Sequence, residues 1–348
     1  MSLSNTLSRL GWSPYFQQQL SLDEWSEFTA GRVFGRHRSM IEIVTERGIR
    51  SLPITSSMPD LTVGDWLLLD SEGRFHRALE RLSLFARKAP GTKVASQLIA
   101  ANVDTLFVVS SLNDDFKLNR IERYLALSAE AGVESVVVLT KSDLCDDPND
   151  YVHRVNSLDP MLTVVAVNAL DPASSGVLEP WCRRGKTVAL LGSSGVGKST
   201  LINTLLDSSV QATASIREED SKGRHTTTSR SLLFMPAGGI LLDTPGMREL
   251  QLFDCKQGVM ETFADIGRLA ENCRFSDCRH DNEPGCAVQA AIRDGSLDGR
   301  RLESYLKLMR EQFLNSASLA EKRARDRELG RFYRSTLKAS LKQKRGHS

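Results

Sequence analysis

Three short motifs constrain the fold of this chain more than any other feature, because their order along the sequence is unusual. The motif T-K-S-D occupies residues 140–143, G-x-x-x-x-G-K-S occupies residues 192–199, and D-x-x-G occupies residues 243–246. Such motifs respectively select a nucleotide base, bind its phosphates and sense the terminal phosphate, and the base-selecting motif ordinarily comes last. Here it comes first, so the sequence predicts a circularly permuted nucleotide-binding domain. Permutation places the phosphate-sensing motif at the end of that domain, directly before the part that follows.

The alternation of apolar with helical segments predicts a parallel sheet from about residue 104 onward. Near-continuous apolar strands that alternate with helices are typical of a sheet covered on both faces. All three motifs then fall at the carboxyl ends of strands, where open α/β sheets bind their ligands. The predicted strands are residues 105–109, 135–139, 163–167, 187–191 and 240–242.

The second motif has the residue types of a phosphate-binding loop between a strand and a helix. Its glycines let backbone N–H groups turn towards phosphate oxygens. Lys198 is expected to reach the β- and γ-phosphates, and Ser199 to offer its hydroxyl to Mg²⁺. The predicted phosphate-binding residues are Gly192, Ser193, Ser194, Gly195, Val196, Gly197, Lys198, Ser199 and Thr200.

Asp243 and Gly246 belong to the third motif, which follows a short apolar strand. We expect Asp243 to hold Mg²⁺ through water and the N–H of Gly246 to sense the γ-phosphate. The next residue is Met247, whose thioether cannot orient the attacking water as the glutamine of many such sites does. Another residue must therefore position that water.

His225 is predicted to be that residue, in the segment K-G-R-H-T-T-T at positions 222–228. The segment lies between the second and third motifs, where a first switch belongs, and a neutral imidazole can accept a hydrogen bond from water. A surface histidine in a loop is the alternative. The adjacent threonines offer a hydroxyl to Mg²⁺; Thr227 is favoured, with Thr226 and Thr228 as alternatives.

The first motif predicts selection of guanine. The carboxylate of Asp143 can accept from both N1–H and the exocyclic amine of guanine, a donor pair that adenine lacks. The aliphatic part of Lys141 is expected to lie over the base. The predicted base-selecting residues are Thr140, Lys141, Ser142 and Asp143. Asn168 and Ala169, after the next strand, are predicted to direct a backbone N–H at guanine O6, with an ordinary strand-end turn as the alternative.

Three cysteines and a histidine cluster within 14 residues, in the spacing Cys273-x4-Cys278-x-His280-x5-Cys286. Three thiolates and one imidazole suit a tetrahedral zinc ion, and a fully ligated set leaves no open position for catalysis. We therefore predict one structural Zn²⁺ that organises a part of the chain with little core of its own. Unrelated thiols are the alternative, and a redox role is disfavoured by the lack of a C-x-x-C pair.

Basic charge is concentrated at the C-terminus, although the formal net charge is only +2. Residues 321–348 contain ten lysines and arginines against three acids. Both a solvated tail and an RNA-binding extension fit this composition. The N-terminus shows no signal peptide, and no segment approaches the length of an apolar membrane span. A cytoplasmic location without a membrane partner is therefore expected.

These patterns divide the chain into parts of different fold class. Short alternating segments separated by glycines, over residues 32–81, are typical of a small all-β barrel. Five strands fit an OB-fold, with an SH3-like barrel as the alternative. We predict an N-terminal extension at 1–30, an OB-fold barrel at 31–90, a permuted α/β nucleotide domain at 91–252, and a helical zinc-binding domain with a basic helical C-terminal extension at 253–348.

The motif order, the segment G-R-H-T-T-T and the Cys3His set together closely resemble the RsgA family, also called YjeQ or YloQ, of small-ribosomal-subunit-dependent GTPases. The resemblance covers about residues 32–313 and includes A-A-N-V-D at 100–104. It implies an N-terminal OB-fold, a permuted G domain and a C-terminal zinc domain. It also places the family's catalytic histidine at position 225 and a hydrophobic residue at 247. Two departures are Thr140, where asparagine is more usual, and residues 1–30, which the resemblance does not cover.

The resemblance implies a GTPase that binds the 30S subunit and its 16S rRNA and acts in late assembly. It would hydrolyse GTP to GDP and phosphate with stimulation by the subunit and nucleotide-dependent release, and it is expected to be a monomer. Arg32, Arg36 and Arg38 of the barrel are candidate RNA contacts, with merely solvated strand arginines as the alternative, and the basic C-terminus is predicted to contact RNA as well. The alternatives are a GTP-gated RNA-binding module with incidental hydrolysis, and a permuted GTPase of large-subunit assembly. The 26 residues from 247 to Cys273 (273 minus 247) are predicted to transmit loss of the γ-phosphate directly to the zinc domain.

Overall fold

The computed structural model describes residues 7–88, 96–206, 231–243, 247, 255–281 and 283–316. Within these ranges the predicted fold class is confirmed. An antiparallel β unit comes first, a largely parallel α/β sheet is central, and a helical region follows. No helix in these ranges is both long and apolar enough to cross a membrane.

Five antiparallel strands make the N-terminal unit. Strand β1 pairs with β2 and β4, β2 pairs with β3, and β4 pairs with β5. Arg50 of β3 lies beside the turn between β4 and β5, so a side chain on Gly73 there would collide with its guanidinium. Strand β3, at one end of the strand order, therefore lies close to the turn that leads into β5, at the other end. The strands are β1 (Thr29–Arg36), β2 (Met40–Thr45), β3 (Gly48–Pro53), β4 (Trp66–Leu69) and β5 (Phe75–Ala78).

Every second residue of β2 and all four residues of β4 are buried, and these strands supply most of the core of the unit. Its fully or nearly buried members are Val33, Ile41, Ile43, Leu61, Leu67 and Leu69. The preceding segment, with helices α1 (Pro14–Gln17) and α2 (Leu22–Glu27), covers a second apolar face of the same strands. There Trp12 meets Trp66 edge-on at 4.9 Å between ring centroids.

Arg32 joins the N-terminal unit to the central sheet. Its guanidinium donates to the carbonyl of Leu10 at 2.7 Å, the carbonyl of Asn102 at 2.8 Å and the hydroxyl of Thr187 at 2.9 Å. Burial lowers the pKa of Arg32 to about 10, so the group remains a cation at neutral pH. The prediction that Arg32 contacts RNA is wrong, because the residue is only 1% exposed and its donors are used inside the protein.

The central part of the sheet has the strand order β10-β9-β8-β11-β13-β12, and β12 continues into β1 of the N-terminal unit through the antiparallel pair Gly35 and Ser231. All neighbours are parallel except β12, which pairs antiparallel with β13. Strands that come early in the chain thus form one side of the sheet, and the strand that leads into the phosphate-binding motif lies in the middle. The strands are β8 (Thr105–Ser111), β9 (Glu134–Thr140), β10 (Thr163–Val167), β11 (Thr187–Gly192), β12 (Ser231–Phe234) and β13 (Ile240–Asp243).

Helices and a hairpin cover the two faces of this sheet, and alternate residues of each strand supply the two cores. Phe107 and Val138 point to one core, whereas Leu106 and Val137 point to the other. The hairpin of β6 (Leu84–Lys88) and β7 (Ser96–Ala101) joins the second of these. The helices of this part are α3 (Leu118–Ala131), α4 (Pro148–Asn156), α5 (Pro172–Ser175) and α6 (Lys198–Leu205).

The C-terminal region is helical and lies against α3. Its apolar side chains join the same core as those of α3, which makes the two parts continuous. The helices are α7 (Lys256–Thr262), α8 (Ala264–Ala270), α9 (Ala287–Asp294) and α10 (Gly299–Ser316).

Candidate nucleotide site and metal centre

The phosphate-binding motif occupies the connection between β11 and α6, as the sequence predicts. Gly195 and Gly197 have φ angles of +79° and +93°, which side chains other than glycine rarely adopt. A side chain on Gly192 would collide with the carbonyl of Val109 on β8. These glycines are therefore required by the path of the loop, which turns its backbone towards the carboxyl edge of the sheet.

Lys198 begins α6 and is 8% exposed. Its Nζ donates to the carbonyl of Gly192 at 2.7 Å and also to the carbonyl of Ser193. These bonds fold the lysine back over its own loop. The ammonium thus lies within the backbone curve where phosphate oxygens are expected to bind.

The base-selecting loop follows β9 and touches the phosphate loop. Thr140 is fully buried, and its hydroxyl donates to the carbonyl of Val196 at 2.5 Å. Lys141 then adopts a left-handed φ of +63°, which turns the chain into a 3₁₀ turn at Ser142–Leu144. Thr140, although it replaces the more usual asparagine, therefore links the two loops through its single hydroxyl. Asp143 is exposed at the start of this turn.

The segment after β10 lies next to the base-selecting loop, because Val167 and Thr140 are partners in the parallel register. In this segment the Asn168 N–H donates to the Ser174 hydroxyl at 2.9 Å, and the Asn168 side chain accepts from the Leu170 N–H at 3.0 Å. The structure thus brings Asn168 and Ala169 to the same edge as Thr140 and Asp143.

Asp243 ends β13, whose neighbour is β11, so its backbone lies at the edge that carries the phosphate loop. Met247 is 2% exposed and belongs to the apolar core with Leu242 and Val259. A buried thioether has no access to an attacking water, in agreement with the sequence argument. The predicted switch residues His225, Thr226, Thr227, Thr228 and Gly246 lie outside the described residues.

The predicted metal ligands Cys273, Cys278, His280 and Cys286 form one cluster, with all ligand atoms within 4.8 Å of one another. The Sγ atoms of Cys273 and Cys286 are 3.9 Å apart, and each lies 3.6 Å from His280 Nδ1. A tetrahedral zinc ion would set these separations at about 3.8 Å and about 3.6 Å, from its usual bond lengths. The cluster therefore has the dimensions to bind a metal ion, and the histidine would ligate through Nδ1.

Thr204 and Glu122 make long-range hydrogen bonds that the sequence did not predict. The Thr204 hydroxyl donates to the carbonyl of Ala169 at 2.6 Å. Glu122 is fully buried and accepts from Arg300 and Arg301 of α10. Neither residue is part of a motif, and both partners are distant in sequence, so no local signal could have identified them.

Comparisons with known proteins identify the family to which this chain is similar. The family model of the RsgA GTPase matches residues 78–253. The small ribosomal subunit biogenesis GTPase RsgA 2 of Vibrio parahaemolyticus is 57% identical over 348 residues, which cover 100% of this chain and 97% of the relative. The small ribosomal subunit biogenesis GTPase RsgA of Mesorhizobium japonicum is 44% identical over 319 residues, covering 90% of this chain and 92% of the relative.

Two solved structures share the fold. YjeQ from Thermotoga maritima aligns with a TM-score of 0.60 and 26% identity, over 82% of this chain and 99% of that one. YloQ, described as a circularly permuted GTPase, aligns with a TM-score of 0.59 and 22% identity, over 83% of this chain and 96% of that one. The second likeness shows the fold alone.

Proposed function

Because this chain belongs to the RsgA GTPase family, we propose that it binds the 30S ribosomal subunit during late assembly and hydrolyses GTP to GDP and phosphate there. The observation that carries this proposal is the meeting of the phosphate loop and the base-selecting loop at one sheet edge, where Thr140 bonds to Val196. The names of the relatives, small ribosomal subunit biogenesis GTPases, support the ribosomal role. Release from the subunit would depend on the bound nucleotide.

The site residues are proposed in the roles that the motifs predict. His225 orients the attacking water, Ser199 and Thr227 hold Mg²⁺, and Asp143 selects guanine. The support is that Ser199 lies at the start of α6, after β11, and Asp143 lies in the turn after β9, both at the carboxyl ends of strands of one sheet. The remaining proposed GTP-binding residues are Thr140, Lys141, Ser142, Asn168, Ala169, Gly192, Ser193, Ser194, Gly195, Val196, Gly197, Lys198, Thr200, Asp243 and Gly246.

The division of the chain into an extension at 1–30, a barrel at 31–90, a G domain at 91–252 and a zinc domain from 253 is likewise a proposal. The separate apolar cores of the barrel and of the central sheet support the division.

We propose that 16S rRNA binds to the exposed arginines of the barrel. Arg38, Arg47 and Arg50 are exposed on and beside β2 and β3, and such side chains suit phosphate contacts. Arg36 is held by Asp60 at 2.8 Å, which leaves it less available. The basic C-terminus, residues 317–348, lies outside the described residues and keeps its predicted role in RNA binding. The relatives' ribosomal names support a cytoplasmic location, and a monomeric state stays a prediction.

GTP hydrolysis by the purified protein should be slow and should rise when 30S subunits are added. No arginine finger is evident in the motifs and Met247 stands where many such sites have glutamine, so we expect the partner to act by ordering the first switch. His225→Ala should reduce the stimulated rate by about a hundredfold, the usual contribution of a group that handles the proton of the reacting water. Phosphate release measured with 30S subunits, 50S subunits or neither tests both statements.

Nucleotide binding is the control for this experiment, because His225→Ala should bind GTP as the unchanged protein does. Turnover that is indifferent to 30S subunits would contradict the ribosomal role. Stimulation by 50S subunits alone would point to large-subunit assembly, and unchanged turnover in His225→Ala would remove His225 from the mechanism.

The Cys3His cluster is proposed to hold zinc as a structural ion, because three thiolates favour zinc over the harder cations. The purified protein should contain about one zinc ion per chain. Cys273→Ser should lose most of this metal and unfold at lower temperature. Cys145→Ser is the matched control, since Cys145 is a free thiol outside the cluster and its loss should leave the zinc content unchanged. Full zinc content in Cys273→Ser, measured by elemental analysis, would contradict the assignment.

A further inference from the structure

Residues 168–170, which follow β10, have three backbone N–H groups, and two of these groups donate hydrogen bonds within the protein. The Asn168 N–H donates to Ser174, and the Leu170 N–H donates to the Asn168 side chain. The Ala169 N–H makes no hydrogen bond within the described residues. The Ala169 N–H therefore lies at the sheet edge beside the base-selecting loop, where it can donate a hydrogen bond to a bound nucleotide.

The carbonyl on the other side of Ala169 is held by Thr204. The Thr204 hydroxyl lies 2.6 Å from this oxygen, across 35 positions of sequence. Thr204 is on α6, the helix that begins at Lys198 of the phosphate loop. One rigid helix thus carries the phosphate-binding lysine at its start and, less than two turns later, a hydroxyl that holds the segment facing the base.

We propose that Thr204 is a positioning residue for guanine recognition: it holds the carbonyl of Ala169, and through it the backbone of this residue, so that the N–H on the other side of Ala169 meets O6 of the base. The inference rests on the proposed binding of GTP. Adenine carries an amino group at position 6, which is a donor and cannot accept a hydrogen bond from the Ala169 N–H. A fixed N–H at this place therefore favours guanine over adenine. Because Thr204 and Lys198 share α6, the bond also sets the spacing between base and phosphates.

The test measures how tightly three nucleotides bind to two variants. Thr204→Val keeps the shape of the side chain and removes its hydroxyl, and Thr204→Ser keeps the hydroxyl as the matched control. GDP and IDP both carry O6, but IDP lacks the amine that faces Asp143. 6-Thio-GDP replaces O6 with sulfur, a weak acceptor. Dissociation constants are measured by calorimetry with each nucleotide.

Thr204→Val should weaken the binding of GDP and of IDP by about five- to tenfold, which is the effect of one misplaced hydrogen bond. It should weaken the binding of 6-thio-GDP by less than about twofold. The preference for GDP over 6-thio-GDP thus falls, and the preference for GDP over IDP stays constant. Thr204→Ser should bind all three as the unchanged protein does. A purely structural role would instead weaken all three nucleotides equally.

An unchanged ratio of GDP to 6-thio-GDP affinity in Thr204→Val would overturn the inference, as would loss of that preference in Thr204→Ser. Binding of GDP and ADP to the unchanged protein separates this outcome from failure of the proposed function. If the unchanged protein prefers GDP and only the Thr204 result fails, the positioning role is wrong. If it shows no preference for GDP, the proposed guanine site itself is wrong.

Discussion

Replacement of Asp143 by asparagine should change the base preference of this protein from guanine to xanthine. The carboxylate offers two acceptors to the N1–H and amine of guanine, whereas an amide offers one acceptor and one donor. Xanthine carries an oxygen where guanine carries that amine, so the amide donor gains a partner. The substitution should weaken the binding of GDP by at least about a hundredfold, since hydrogen bonds to a charged group contribute about 1.5–3 kcal/mol each. It should also raise the affinity for XDP above that for GDP.

The position of Asp143 makes this the most selective substitution available in the loop. It is exposed in the turn after β9, so the change removes no contact from a core. Asp146→Asn is the matched control, because Asp146 is another exposed carboxylate three residues later. Competition between GDP and XDP for both variants is the measurement. If Asp143→Asn still prefers GDP, guanine is selected by other groups.

The strand-end motifs could be predicted from sequence because their chemistry is local. Gly195 and Gly197 have φ angles that only glycine adopts easily, and β11 and α6 have their own apolar patterns. The four zinc-cluster residues likewise lie within 14 positions, so their spacing alone indicates a tetrahedral set. In each case the residues that define the feature are close in sequence.

Features built from distant residues could not be predicted. Arg32 has the pattern of an exposed arginine on a strand, and its burial depends on partners at positions 10, 102 and 187. Thr204 is an ordinary helical threonine until its partner 35 positions away is known. Glu122 resembles a solvated acid on an amphipathic helix, yet its partners are 178 and 179 positions away. Tertiary packing decides all three.

The connection from the D-x-x-G motif to the zinc cluster is bonded to neighbouring helices from Cys255 onward. The Cys255 N–H donates to Gln312 at 2.8 Å, and its thiol donates to the carbonyl of Ala126 on α3. At Gly258, any side chain would collide with that same carbonyl. The chain is thus fastened to the central domain from Cys255 onward. The prediction that the 26 residues from 247 to Cys273 transmit loss of the γ-phosphate to the zinc domain stays a prediction, and within this stretch the buried Met247 and Cys255 both pack in the central core.

A buried ionic network makes this attachment firm. Glu122 of α3 is fully buried and binds Arg300 at 2.9 Å and Arg301 at 3.0 Å. Arg301 also binds Asp265 at 2.6 Å and lies over the ring of Phe263. Burial acts to lower the pKa of Arg301, but the bond to Asp265 and the charge of Glu122 outweigh it and raise the pKa above its ordinary value. The C-terminal helices are therefore held to α3 by buried ion pairs as well as by the shared apolar core.

Glu122→Gln should lower the free energy of unfolding by about 3 kcal/mol, because removing one charge from a buried network leaves the others uncompensated. The amide keeps the shape of the side chain, so the loss reports charge rather than packing. The base and phosphate loops lie at the strand ends, so affinity for GDP should change little. Denaturant unfolding of the variant, with GDP affinity measured in parallel, tests both statements.

Asp298→Asn is the control for this network, because Asp298 also binds Arg300, at 3.1 Å, but its side chain is 59% exposed. An exposed ion pair contributes about 0–1 kcal/mol, so this variant should remain close to the unchanged protein. Equal stability of the two variants would contradict the buried-network argument. If Glu122→Gln is destabilised but the proposed release from the 30S subunit on GTP hydrolysis is the same in both proteins, the attachment to α3 stabilises the fold without transmitting the nucleotide signal. Retention on the subunit after hydrolysis, measured by cosedimentation, is the expected result if α3 transmits that signal.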